Sequence, residues 1–183
     1  GLQRDSPDNI PVTPWRAVTL QVRAPGGSAP SRGAGTRLET QSGMTTIFET
    51  IRRDHERLRR AIREAKEAGT PDDKVASLGR MTRALRIHDD AERSSIYTAL
   101  LSHERGRELG REATDKHHEI ERLMSDLVAM PPESPDRDIC LEELSQCLEH
   151  HFRWEQERLF PAAHFLFSAE TQQRLARIYE QAK

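Results

Sequence analysis

Aromatic residues are scarce in this chain: phenylalanine, tyrosine and tryptophan together make up 5% of its 183 residues. A sheet-rich sandwich draws on β-branched and aromatic side chains, so that class fits poorly. Long apolar runs are missing too. Nothing approaches the roughly 18 residues that a membrane helix needs. The longest early apolar run, residues 17–22, is short and interrupted by Thr19 and Gln21, which argues against a secretory signal. Cysteine is nearly absent. Cys140 and Cys147, placed on one helix, would stand about 10.5 Å apart along its axis, too far for a mutual disulfide. They are expected to be small core fillers in a reduced, cytoplasmic protein. No charge of one sign predominates: the net charge is -2, which gives no general attraction to nucleic acid or to an anionic membrane. The arginine run Arg52, Arg53, Arg57, Arg59, Arg60, Arg63 is interleaved with Glu49, Asp54, Glu56 and Glu64 and reads as a solvated face. A phosphate-binding glycine loop and a nucleophile motif are also lacking.

What the chain does have is leucine, alanine, arginine and glutamate in helical periods. Residues 1–43, rich in proline and glycine, show no such period and are expected to be a disordered leader. Met44 opens the pattern at once, so a natural start is expected there, with a leader that need not be native. A domain over 44–183 follows, its metal-binding core at about 45–163. Helix 1 is predicted over 45–68, ending at Gly69. Thr70 then caps helix 2, with Pro71 in its first turn, and this helix is predicted over 71–102. Gly106 and Gly110 are expected to loosen the next connection before helix 3 at 111–130. Pro131 and Pro132 end helix 3, Ser134-Pro135 opens helix 4, and Pro161 is expected to end or kink it. Ser168 caps a short C-terminal helix. Short links between long helices predict an all-α, up-down-up-down four-helix bundle.

The informative residues are those that interrupt the apolar stripes. Helix 1 carries Phe48, Ile51, His55, Leu58, Ile62, Ala65 at alternating three- and four-residue steps, which turns His55 inward. Helix 2 carries Leu78, Met81, Leu85, His88, Glu92, Ala99. Helix 3 carries Ala113, His117, Ile120, Met124, Leu127, and helix 4 carries Leu141, Leu144, Leu148, His151, Glu155, Leu159. Each helix thus offers one histidine to the core, and helices 2 and 4 add a glutamate four residues later. Residues i and i+4 stack on one face, so each His–Glu pair can reach the same cation. Left unpaired, these groups would cost several kcal/mol through lost hydration. A cation removes the conflict, because neutral imidazoles donate lone pairs and carboxylates keep their charge. A single inward histidine is ordinarily a hydrogen-bonded core residue; the repetition across four helices points to metal.

The segments Asp54-His55-Glu56-Arg57-Leu58, His88-Asp89-Asp90-Ala91-Glu92 with Ile96-Tyr97, His117-His118-Glu119-Ile120, and His151-Phe152-Arg153-Trp154-Glu155 through Leu159-Phe160-Pro161 resemble the hemerythrin-like HHE cation-binding family. The resemblance covers about 45–163 and keeps the family's order of motifs. It implies a diiron centre with His55, His88, His117 and His151 as terminal ligands and Glu92 and Glu155 as bridging carboxylates. His118 competes with His117 but falls off the apolar row. Two departures stand out. Oxygen-carrying members have a further histidine where this chain has Ala113, and many relatives have a proline where Thr98 stands.

By a rough count of two octahedral irons, four histidines, two bridging carboxylates and a solvent-derived oxygen bridge leave two coordination positions unfilled. Asp89 and Glu121 are candidates to fill them. With Ala113 in place the site is expected to be more open than an oxygen carrier's. The expected function is a non-haem diiron protein that binds, senses or reacts with dioxygen, peroxide or nitric oxide. As an enzyme it would be a diiron oxidoreductase consuming peroxide or nitric oxide. The alternative is a non-enzymatic iron-sensing or iron-storage module, in which metal supplies folding energy. Zinc-dependent hydrolysis would need fewer protein ligands. His103, His150 and His164 are expected outside the ligand set, and Tyr97 and Trp154 more often in packing than in redox roles, with either able to lie near the site.

Overall fold

A computed structural model describes residues 45–183, and every regular element among them is helical. The expectation of disorder for 1–43 lies outside the described residues. Helix α1 spans Ile47–Glu67. Helix α2 is a rod made of Pro71–Glu92, a π-helical turn Arg93–Tyr97, and a closing segment Thr98–Ser102. Helix α3 spans Arg107–Ala129. Helix α4 joins Arg137–Trp154, a second π-helical turn Glu155–Leu159, and Phe160–Leu166. Helix α5 spans Ala169–Gln181.

The caps follow from sequence chemistry. At the start of α1, Thr46 Oγ1 accepts from Glu49 N–H, while the Glu49 carboxylate accepts from Thr46 N–H at 2.8 Å, a reciprocal capping box. Thr70 Oγ1 accepts from Asp73 N–H with Pro71 in the first turn of α2, and Ser168 Oγ accepts from Thr171 N–H at the start of α5. Helices α1 and α2 pack along each other, as do α3 and α4, and α5 lies over α1 and α2. The result is the four-helix bundle with an added C-terminal helix.

Three local features differ from expectation. Of the two outcomes expected at Pro161, an end or a kink, the end does not occur: the helix runs on to Leu166. Pro161 follows a π-turn in which Phe160 N–H bonds back to Glu155 O, so the widened turn absorbs the bond that proline cannot make. Thr98 holds the matching position after the first π-turn, six residues past Glu92 as Pro161 is past Glu155; its hydroxyl donates to Arg93 O at 2.6 Å. The first π-turn also shifts the inward row. Ile96, Tyr97 and Leu100 are buried, and Ala99 is only partly so. Finally, α3 starts at Arg107, and its glycines tighten the corner that they were expected to loosen. A Cβ at Gly110 would meet Leu101 N and Leu101 Cγ at 3.0 Å, so glycine permits close approach of α3 to the end of α2.

Two apolar clusters fill the interior. One gathers Ile51, Ile96, Leu100, Ala113, Leu159 and Phe160, and the other Leu58, Leu85, Ile120, Leu148 and Phe152. On every bundle helix the inward polar residues fall between members of the two clusters, which places them in one polar band across the core.

Candidate metal centre

All six residues singled out from sequence are buried in this band: His55, His88, Glu92, His117, His151 and Glu155. His118 is exposed, because it lies one residue off the row that carries His117. Donor atoms of His55, His88 and Glu92 lie within 4.8 Å of one another, and so do those of Glu92, His117 and His151. Glu92 belongs to both triads. Glu155 also spans them, with Oε2 3.0 Å from His55 Nε2 and 3.8 Å from His151 Nε2. On the other carboxylate, Glu92 Oε1 is 3.4 Å from His88 Nε2 and Oε2 is 3.1 Å from His117 Nε2.

The donor set fits cations. His55 Nε2, His88 Nε2, Glu92 Oε1 and Glu155 Oε2 are buried without hydrogen-bond partners; the short His55–Glu155 approach lacks hydrogen-bond alignment. His117 Nε2 and His151 Nε2 face each other at 3.1 Å. Lone pairs that converge without enough protons to share are costly in a dry interior, and a positive centre satisfies them together. Four imidazoles and two carboxylates, without thiolates, suit iron, manganese or zinc better than soft ions.

Tyr97, expected chiefly in packing, also reaches into the polar band. Its hydroxyl stands 2.8 Å from Glu155 Oε1, 3.1 Å from Glu92 Oε2 and 2.9 Å from His117 Nε2. The signal was the five-residue step from Glu92 to Tyr97. In an α-helix that step carries the ring away from the glutamate's face, and the π-turn brings it back. Ala113, expected to leave the site open, is fully buried in the apolar cluster that includes the Tyr97 ring. Glu121 points elsewhere and pairs with Arg93. Asp89 is buried with Oδ1 3.9 Å from His117 Nδ1, beside a ligand candidate and not facing the centre. Trp154 donates Nε1–H to Glu112 at 2.9 Å and stacks near His151. His103 is partly buried, and His150 and His164 are exposed, away from the ligand set. Cys140 and Cys147 are free thiols raised above their ordinary value by burial, in keeping with filler roles.

Burial pushes His88 down to about 3, with His55 beside it adding repulsion. Burial likewise lowers His117 and His151. These rings are therefore neutral and ready to donate lone pairs. Burial raises Glu92, and the neighbouring Glu155 raises it further. Burial also works to raise Glu155, but His151 and His55 outweigh it and hold that carboxylate below its ordinary value. Burial raises Tyr97 as well, so its phenol keeps its proton.

A pH dependence follows. Glu92 keeps a proton in the cation-free fold that the unfolded chain releases above about pH 4.3, so its contribution to stability is lost as pH rises. A cation holds Glu92 ionised and displaces that proton. The increase in urea midpoint on loading a divalent cation should therefore be larger at pH 8 than at pH 6. An increase independent of pH would show that Glu92 is already ionised without metal.

A helical bundle with a buried histidine–glutamate cation site is the class that fold and geometry define. The chain belongs to the hemerythrin family: the model described as Hemerythrin HHE cation binding domain matches residues 46–163. Among solved structures it is similar to a hemerythrin HHE cation binding domain-containing protein from Mycobacterium kansasii. The TM-score is 0.66 at 20% identity, over 76% of this chain and 88% of that one. Among curated proteins it is similar to a DNA nickase of Nostoc sp., 26% identical over 137 residues. That match covers 75% of this chain but only 39% of the nickase.

Proposed function

We propose that this chain holds two irons, one between His55 and His88 and the other between His117 and His151, bridged by Glu92 and Glu155. The observation that carries this reading is the double membership of Glu92 in two buried triads. A single cation does not need ligands from all four helices. A solvent-derived oxygen bridge completes the proposed centre.

An iron pair held this way would supply Lewis-acid and redox chemistry to a small oxidant: dioxygen, peroxide or nitric oxide. The protein's part is selection and proton placement. The ligand candidates are sealed from solvent, so only small molecules can reach them. A surface cleft of about 320 Å³ is lined by Phe48, Arg52, Phe160 and His164, and Phe160 also stacks toward His55 with ring centroids 6.4 Å apart. We take this as the approach route, with the Phe160 ring as its inner wall. Tyr97 holds the one hydroxyl proton poised among Glu92, Glu155 and His117.

Peroxide turnover distinguishes this reading from an iron sensor or store. The iron-loaded protein should decompose many equivalents of hydrogen peroxide per chain to water and dioxygen, followed by peroxide absorbance and an oxygen electrode. Consumption that stops after about one equivalent per centre, or release of iron, favours the store or sensor. No nucleic-acid partner is proposed. Within the α1 arginine run, Arg57 pairs with Asp54, and Arg59 with Glu56 and Glu149. The nicking named for the Nostoc protein is not carried over. No helix among the described residues is long and apolar enough to cross a membrane. The two free thiols support a reducing, cytoplasmic setting as part of the proposal.

A further inference from the structure

Histidines that hold metal through one ring nitrogen are ordinarily fixed through the other, which donates to a nearby acceptor and so sets tautomer and ring plane. Around this centre the remote nitrogens differ. His55 Nδ1, His117 Nδ1 and His151 Nδ1 are buried without partners. His88 Nδ1 has one: it lies 2.8 Å from the Tyr179 hydroxyl. Tyr179 in turn donates to Asp54 Oδ2 at 2.8 Å, and Asp54 is held by Lys183 Nζ at 2.9 Å and by Arg57 at 2.8 Å. The hydroxyl hydrogen goes to Asp54, so the Tyr179 oxygen is free to accept from His88 Nδ1–H. That arrangement leaves the lone pair of His88 on Nε2, the atom facing Glu92.

Tyr179 belongs to α5, beyond the stretch that the family model matches, yet its side chain is fully buried beside the centre. Helix α5 packs on α1 and α2, the two helices that carry His55 and His88. We infer that Tyr179 is a positioning residue for the His55–His88 half of the centre, through which the C-terminal helix sets cation affinity at that half alone. The inference rests on the two-cation reading above for its affinity effect, but not for its effect on His88 itself.

The test uses the full chain, Tyr179→Phe, and a packing control, Leu175→Ala, on the same helix. Long-range proton–nitrogen NMR of the metal-free protein should show His88 protonated at Nδ1, and Tyr179→Phe should abolish that preference. Anaerobic ferrous iron in competition with a chromophoric chelator should bind Tyr179→Phe with one of its two equivalents weakened tenfold to a hundredfold, and the other unchanged. Leu175→Ala should lower the melting temperature while leaving the His88 tautomer and both equivalents as they were. An unchanged His88 tautomer in Tyr179→Phe overturns the inference, as does equal weakening of both equivalents. It is also overturned if Leu175→Ala weakens the same equivalent as much as Tyr179→Phe, since packing alone would then explain the effect. If the parent chain takes up no iron pair, the proposed function fails, and the tautomer measurement still decides whether Tyr179 positions His88.

Discussion

Glu92→Gln should empty both halves of the centre, bringing bound iron close to zero, while leaving the metal-free protein about as stable as the parent. The first effect follows from the membership of Glu92 in both triads. The amide keeps the volume but loses the second anionic oxygen that a bridge requires. The second effect follows from protonation. Burial and Glu155 already favour a neutral Glu92 in the cation-free fold, and glutamine resembles that neutral acid. His88→Ala and His151→Ala should each deplete their own half, lowering iron by about one per chain or more. Elemental analysis and thermal melts of the three variants check this. Full iron in both histidine variants would remove them from the ligand set, and a large stability loss in metal-free Glu92→Gln would mean that the charged form is part of the fold.

Tyr97→Phe has the other large effect, and its sign differs with loading. Without metal, the phenol is the shared proton carrier for two buried carboxylates and an imidazole. Removing the hydroxyl leaves acceptors unsatisfied and should cost about 1–3 kcal/mol. With metal, its loss vacates space that faces both Glu92 and Glu155, so azide should bind more tightly and reach saturation faster, read from the optical spectrum. Ala113→His, which the sequence alone suggests for restoring the oxygen carriers' extra histidine, should behave differently. Ala113 is fully buried in the cluster that holds Tyr97, so an imidazole there overpacks the core and costs roughly 1–3 kcal/mol before it can act as a ligand. Ala113→His at parental stability would show that room exists for that ligand, and unchanged azide affinity in Tyr97→Phe would place the hydroxyl outside the reactive face.

The bundle and the inward polar rows were legible because both rest on α-helical period. His55, His117, His151 and Glu155 stand where a three- and four-residue alternation puts them, and the caps at Thr70 and Ser168 follow from side-chain chemistry within one turn. What was hidden depends on departures from that period or on contacts distant in sequence. One π-turn begins right after Glu92, at Arg93, and the other at Glu155 itself, and each adds one residue to the turn. That extra residue moves Tyr97 into the centre, trades Ala99 for Leu100 on the inner face, and lets Pro161 continue a helix. Local pattern does not reveal such a turn, because its cost is repaid by the site it shapes. Tyr179 was hidden for another reason: it meets His88 across 91 positions of sequence, from a helix whose own period shows only an apolar face.

Whether two cations share this core is decided by an anaerobic titration. Metal-free protein is titrated with ferrous iron while free iron is followed with a chromophoric chelator. A break is expected at two equivalents per chain, with no binding by Glu92→Gln under the same conditions. A break at one equivalent, or uptake by Glu92→Gln equal to the parent's, would contradict the two-cation reading.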